Sequence, residues 1–171
     1  MFGSLIVSVV CIYDIIKTGV PYEADYYTWI AAGALQLPIG FYVDQLTAVM
    51  LFVVSGVGTV IFLYAIGYMH GHPGYWRFFT YMPLFATMMF LLVLGNTLPL
   101  LFVGWEGVGL CSYLLIGYFY DRDYAAQAGR KAFIVNRIGD FGFLPGMLLL
   151  IWSLGSLRVT DLFNQAPQVY A

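Results

Sequence analysis

Glu106 is the only charged residue between Arg77 and Asp121. A carboxyl group at the centre of an apolar, membrane-spanning helix costs on the order of 3 kcal/mol. Such a group therefore either exchanges a proton or ion, or stays neutral and hydrogen-bonded between helices. A second set of polar residues follows at Lys131, Asn136, Arg137 and Asp140. Arg137 and Asp140 are three positions apart, within reach of each other on one helix face, so an internal ion pair is one reading of them. Lys131 projects nearly opposite Asp140 around the helix and lies close enough to the membrane boundary to snorkel. Ser112 and Tyr113 follow Glu106 by six and seven positions, and Tyr113 falls near the Glu106 face two turns on. Gly104, Gly107 and Gly109 remove bulk around the carboxyl group, which lets a neighbouring helix or water approach it.

The elements that must hold these residues follow from composition. Of 171 residues, 61% are hydrophobic and 9% charged, against about 25% charged in a typical soluble domain. That deficit leaves too little polar surface for a water-facing protein. A spanning helix needs about 20 apolar residues, so the sequence predicts an all-α membrane protein of about five transmembrane helices in a single domain. The charges mark the gaps between spans and place the helices at about 2–16, 44–69, 77–94, 98–119 and 126–154. Asp44 opens the second helix, where a carboxylate complements the helix dipole. Gly155 stops the last one, and Pro145 kinks it about one turn earlier. The stretch from Thr18 to Gly40, rich in Gly, Pro, Tyr and Trp, reads as a long interfacial loop. Residues 156–171 are polar enough to leave the bilayer. Arg122, Arg130 and Lys131 put the loop between the last two helices on the cytoplasmic side, with the Glu23 and Asp25 loop outside.

Several function classes are excluded. With a net charge of −2 there is no clustered basic surface for a nucleic-acid backbone. Cys11 and Cys111 have no Cys or His at ligand spacing and read as buried small hydrophobes. His70 and His72 lie in a turn and read as solvated, with no further ligands nearby for a metal. No nucleotide, flavin, haem or iron-sulfur motif is present, so redox chemistry is not expected within this chain.

The run Gly104-Trp105-Glu106-Gly107-Val108-Gly109-Leu110-Cys111-Ser112-Tyr113-Leu114-Leu115-Ile116-Gly117 resembles the glutamate-bearing helix of the antiporter-like subunit L family of proton-pumping NADH-quinone oxidoreductase, respiratory complex I. Three further blocks fit the same family in the same order: Asp44-Gln45-Leu46-Thr47, Gly74-Tyr75-Trp76-Arg77-Phe78-Phe79, and Lys131-Ala132-Phe133-Ile134-Val135-Asn136-Arg137-Ile138-Gly139-Asp140. The resemblance is strong from about Asp44 to Phe163 and weak over the first 40 residues. It implies a proton path through Glu106, Lys131 and Asp140, supported by Arg137, Tyr113 and Ser112.

The resemblance further implies that the chain is an N-terminal fragment of a longer subunit, or a partial or split gene product, with the cationic partner of Glu106 outside it. No cofactor is expected in the chain itself; flavin, iron-sulfur clusters and quinone belong to partner subunits. The implied partners are the other membrane subunits and the lipid bilayer, and the implied location is the bacterial inner membrane, crossed several times. Two other readings stand open. One is the large subunit of a multisubunit sodium/proton antiporter, against which the Asn136-to-Asp140 block weighs. The other is a structural membrane segment that assembles without pumping.

Overall fold

Long apolar runs that satisfy their own backbone hydrogen bonds dominate the chain, as a bilayer requires. The computed structural model describes residues 1–33 and 35–170. Its elements, in order, are α1 (Phe2–Thr18), β1 (Tyr22–Ala32), β2 (Leu35–Val43), α2 (Gln45–Phe52), a π turn (Val53–Val57), α3 (Gly58–Tyr68), α4 (Tyr75–Leu94), α5 (Leu98–Ile116), α6 (Asp123–Leu154) and α7 (Val159–Tyr170). Four spans among the described residues are long and apolar enough to cross a membrane: 45–68, 75–94, 98–116 and 123–154. This is an α-helical integral membrane protein. At 17 residues, α1 is about 25 Å long, short of a typical 30 Å core.

Local chemistry explains the helix ends. The Asp44 carboxylate accepts a hydrogen bond from the Thr47 N–H at 2.7 Å and caps α2. Gly19 and Gly155 end α1 and α6 in the left-handed conformation, at φ 67° and 72°. α5 ends at Ile116, three residues earlier than expected, because Gly117 breaks the run. α6 begins three residues earlier, at Asp123, and runs through Pro145 without ending. Between α2 and α3 the chain takes a π turn. There Ser55 and Thr59 each donate a 2.6 Å hydrogen bond to the carbonyl four residues back, which buries both hydroxyls within their own helix.

The segment expected as a long loop is an antiparallel hairpin, β1 against β2. Its run of aromatic and β-branched residues, Tyr26-Tyr27-Thr28-Trp29-Ile30, favours strand over coil, and Gly33 turns the chain at φ 61°. The Gly and Pro residues that suggested a loop sit outside the strand or at adjustments within it: Pro21 precedes β1, and Pro38 pairs with Thr28 beside a register shift. Thr18–Gly40 is therefore not a long loop: strand propensity outweighs its Gly and Pro punctuation. α7 lies in the segment expected to leave the bilayer and is not one of the four spans among the described residues.

The hairpin is tied to the helix ends beside it. Leu37 packs with Met147 and Leu157, and Val43 packs with Ile15, Ala48 and Leu51. Arg158 donates from Nε to Glu23 and from its terminal nitrogen to Asp25, both at 2.7 Å. Asn96 donates to the other Asp25 oxygen at 2.6 Å. The Glu23 hydrogen bond raises the Arg158 pKa further above its already high ordinary value. A Cβ at Gly40 would sit 2.6 Å from the Asp25 carboxylate, so only glycine fits there.

Replacing Arg158 with Ala is expected to lower stability by about 1–2 kcal/mol, because both pairs are partly exposed. Thermal unfolding in detergent reads the loss. Lys at this position is expected to recover less than half of it, since an ammonium cannot span two carboxylates as a guanidinium does. Wild-type stability in Arg158→Lys would show that the fork is not what holds the hairpin.

Candidate functional site at the α5–α6 contact

Eight residues separate Glu106 from the start of α5 and ten from its end, or about 12 Å and 15 Å along the axis. The earlier end of α5 therefore brings Glu106 nearer the middle of its span than the sequence reading placed it. Its carboxylate pairs with the guanidinium of Arg137 on α6. The same nitrogen lies 3.6 Å from the Asp140 carboxylate, one turn further along α6. Asp140 is 6% exposed, and its other oxygen accepts a 2.8 Å hydrogen bond from the Trp105 indole N–H. One guanidinium thus stands between two carboxylates, and the group is electroneutral when it holds one proton.

The aromatic surroundings hold Arg137 in this position. Its guanidinium lies 4.7 Å from the Phe133 ring centre, where a cation is attracted to the π face. Tyr113 packs on that same Phe133 ring, centroid to centroid 5.5 Å. Arg137 Nε is buried with no hydrogen-bond partner among the described residues.

The structure brings together Glu106, Arg137 and Asp140 and reaches Tyr113 through Phe133. It does not bring in Lys131, which is exposed near the start of α6 and makes no ion pair among the described residues. Ser112 is half-buried on α5 and joins none of these contacts. Within the chain Arg137 supplies a cation to Glu106, because α5 and α6 pack side by side; the sequence reading pairs Arg137 with Asp140 alone. Trp105 and Phe133 were missed. The indole N–H was a usable signal, since such a donor seeks a partner when it is withdrawn from water.

The three glycines divide differently from expectation. Gly104 and Gly107 face α4, not the carboxyl group: Gly104 abuts the Leu92 backbone and Gly107 the Met88 side chain. Only Gly109 faces α6, where a Cβ would lie 3.6 Å from the Asn136 amide. In the turns, His70 is exposed, whereas His72 is half-buried. Gly74 N–H donates to His72 Nδ1 at 3.1 Å, and the Tyr118 hydroxyl lies 3.3 Å from the same nitrogen.

Comparison with known proteins gives a consistent assignment. Residues 29–79 match the family described as NADH-ubiquinone oxidoreductase (complex I), chain 5 N-terminus, and residues 95–171 match NADH:quinone oxidoreductase/Mrp antiporter, TM. The chain is 48% identical over 150 residues to NADH-quinone oxidoreductase subunit L of Neisseria meningitidis, covering 86% of this chain and 22% of the relative. Subunit L of Mycobacterium tuberculosis is 47% identical over 141 residues, covering 82% and 22%. NAD(P)H-quinone oxidoreductase chain 5 of Synechocystis is 44% identical over 154 residues, covering 90% and 22%. The chain therefore spans about a fifth of the length of the curated relatives it matches. Together the two family matches take in about three quarters of the chain, leaving most of α4 between them, and on this ground the chain belongs to the antiporter-like membrane subunits of the NADH-quinone oxidoreductase family.

Proposed function

We propose that this chain supplies the glutamate-bearing part of a proton-translocating, non-redox membrane subunit of an NADH-quinone oxidoreductase, and that it helps couple quinone reduction in the complex to proton transfer across the membrane. The observation that carries this reading is the placement of Glu106, Arg137 and Asp140 in mutual contact at mid-span. Two carboxylates around one guanidinium can alternate between an electroneutral, singly protonated state and an anionic one. That alternation is what a relay within an apolar span requires. Asp140 is the second acid of the relay, Trp105 holds it in place, and Tyr113 supports the Phe133 surface under Arg137. Lys131 would enter the path only through groups beyond this cluster.

Flavin, iron-sulfur clusters and quinone would then be held by partner subunits, and the other membrane subunits would pack on the exposed apolar faces. The bacterial inner membrane fits this function. The Arg122, Arg130 and Lys131 end faces the cytoplasm and the hairpin faces outward, following the distribution of positive charge.

Glu106→Gln in the full-length subunit, assembled in its complex, is expected to lower proton pumping in proteoliposomes by about tenfold or more. Assembly should be unchanged, because glutamine keeps the shape and one hydrogen bond to Arg137. Undiminished pumping would sink the assignment. The large subunit of a sodium/proton antiporter is a second reading, favoured by the match of residues 95–171 to a family that also takes in Mrp antiporters. Sodium-driven proton movement without NADH would select it.

A further inference from the structure

We propose that the basic end of the helix bundle holds a binding pocket for the phosphate group of an anionic phospholipid. This site shares only Tyr113 with the surroundings of the Glu106 cluster and does not depend on the function proposed for it. A cavity of about 260 Å³ opens where the start of α4, the end of α5 and the start of α6 meet. Arg77 and Arg130 line it, together with the phenols of Tyr81, Tyr113, Tyr118 and Tyr120, and no carboxylate does. Asp121 and Asp123 lie in the adjoining loop and first turn, exposed and outside the lining.

Close packing of α5 against α6 forms one wall. A Cβ at Gly129 would lie 3.2 Å from both the Gly117 nitrogen and the Tyr113 carbonyl, so the absence of a side chain at Gly129 lets the two helices approach. The next residue, Arg130, is thereby set at the rim. Arg130 is exposed and makes no ion pair among the described residues. On the other wall, Arg77 is fixed in direction. It donates to the Tyr118 carbonyl at 3.0 Å, and its guanidinium lies 5.0 Å and 4.8 Å from the Tyr118 and Tyr120 ring centres. Those partners orient the cation and leave its charge uncompensated.

Two guanidiniums and four tyrosines lining one cavity match an anion with several acceptor oxygens, and a phosphate group has that form. The position selects a lipid source. Arg77 is the third residue of its span and Tyr113 lies three residues before the end of α5, so the cavity sits at headgroup depth, where Tyr side chains are favoured. Basic pockets between spans on the positive side are suited to anionic headgroups.

The test reconstitutes the full chain in nanodiscs of phosphatidylcholine with a minor share of phosphatidylglycerol, followed by native mass spectrometry of the lipid retained. Preferential retention of phosphatidylglycerol is expected. Arg130→Gln should weaken it about fivefold, and Arg77→Gln with Arg130→Gln about thirtyfold. Arg122→Gln removes a charge from the same end but outside the cavity and should change nothing. Because Arg77 also holds the Tyr118 carbonyl, the single Arg130→Gln variant keeps the test decisive if the double variant fails to fold. Equal retention of both lipids, or equal losses in Arg122→Gln and Arg130→Gln, would overturn the proposal. Displacement of the retained lipid by millimolar inorganic phosphate would overturn the lipid source and leave a site for a soluble anion.

Discussion

Replacing Arg137 with Gln is expected to destabilise the chain by about 3 kcal/mol, and replacing Glu106 with Gln in the same molecule to restore part of that loss. The sign follows from what each change leaves behind. Without Arg137, two carboxylates face each other in an apolar span, one of them 6% exposed, with no cation to offset either. With both residues neutral, Asp140 keeps its 2.8 Å hydrogen bond from Trp105, and only one buried charge is uncompensated. Breaking a buried pair from one side costs more than removing it whole. The accessibility of the Arg137 side chain, 40%, argues for the lower part of the usual range. Denaturant unfolding of the two single variants and the double variant in one detergent measures the coupling. It is expected to exceed about 1 kcal/mol, well above the error of a double-mutant cycle. Additive losses would mean that the Glu106–Arg137 contact carries no stability.

The second large effect is expected at Gly104→Ala, a loss of about 2–3 kcal/mol by overpacking. A methyl group there would stand 2.7 Å from the Leu92 Cα, and helix backbone does not yield as a side chain does. Gly107→Ala meets mainly the Met88 side chain, which can change rotamer, so its loss should be clearly smaller. At Gly139 nothing lies within 4 Å of a built Cβ. Alanine there is expected to be neutral or stabilising by up to about 1 kcal/mol through helix propensity. Thermal unfolding of the three variants should therefore rank them Gly104, Gly107, Gly139 from most to least damaging. An equal loss at all three would mean that α4 and α5 are not in backbone contact.

These cases mark how far the sequence alone could be read. The spans were legible because a charge inside a bilayer is costly, so Asp44, Arg77 and Asp121 bracket apolar runs whose lengths match the bilayer. Glu106 was legible for the same reason, as the exception within a run. The Arg137–Asp140 approach could be read from helical spacing. The Glu106–Arg137 pair could not, since it depends on which faces of α5 and α6 meet, and periodicity within one helix does not carry that information. Gly104 and Gly107 misled for a related reason: small residues announce a close neighbour without saying which one. The hairpin was hidden by Pro21, Pro38 and Gly40. Each is compatible with a strand in its own way: one lies just outside, one beside a register shift, and one where a side chain would strike Asp25.

The join between the hairpin and the end of α6 has a consequence for insertion. Glu23 and Arg158 are 135 residues apart, and every predicted span of the described chain after α1 lies between them. Their contact forms only when those spans have crossed in a sequence of turns that returns Arg158 to the side from which the hairpin starts. A chain with one helix left uncrossed would strand the guanidinium across the bilayer from both carboxylates. The fork at Arg158 therefore cannot close on a molecule in which one or three of those four spans have failed to cross.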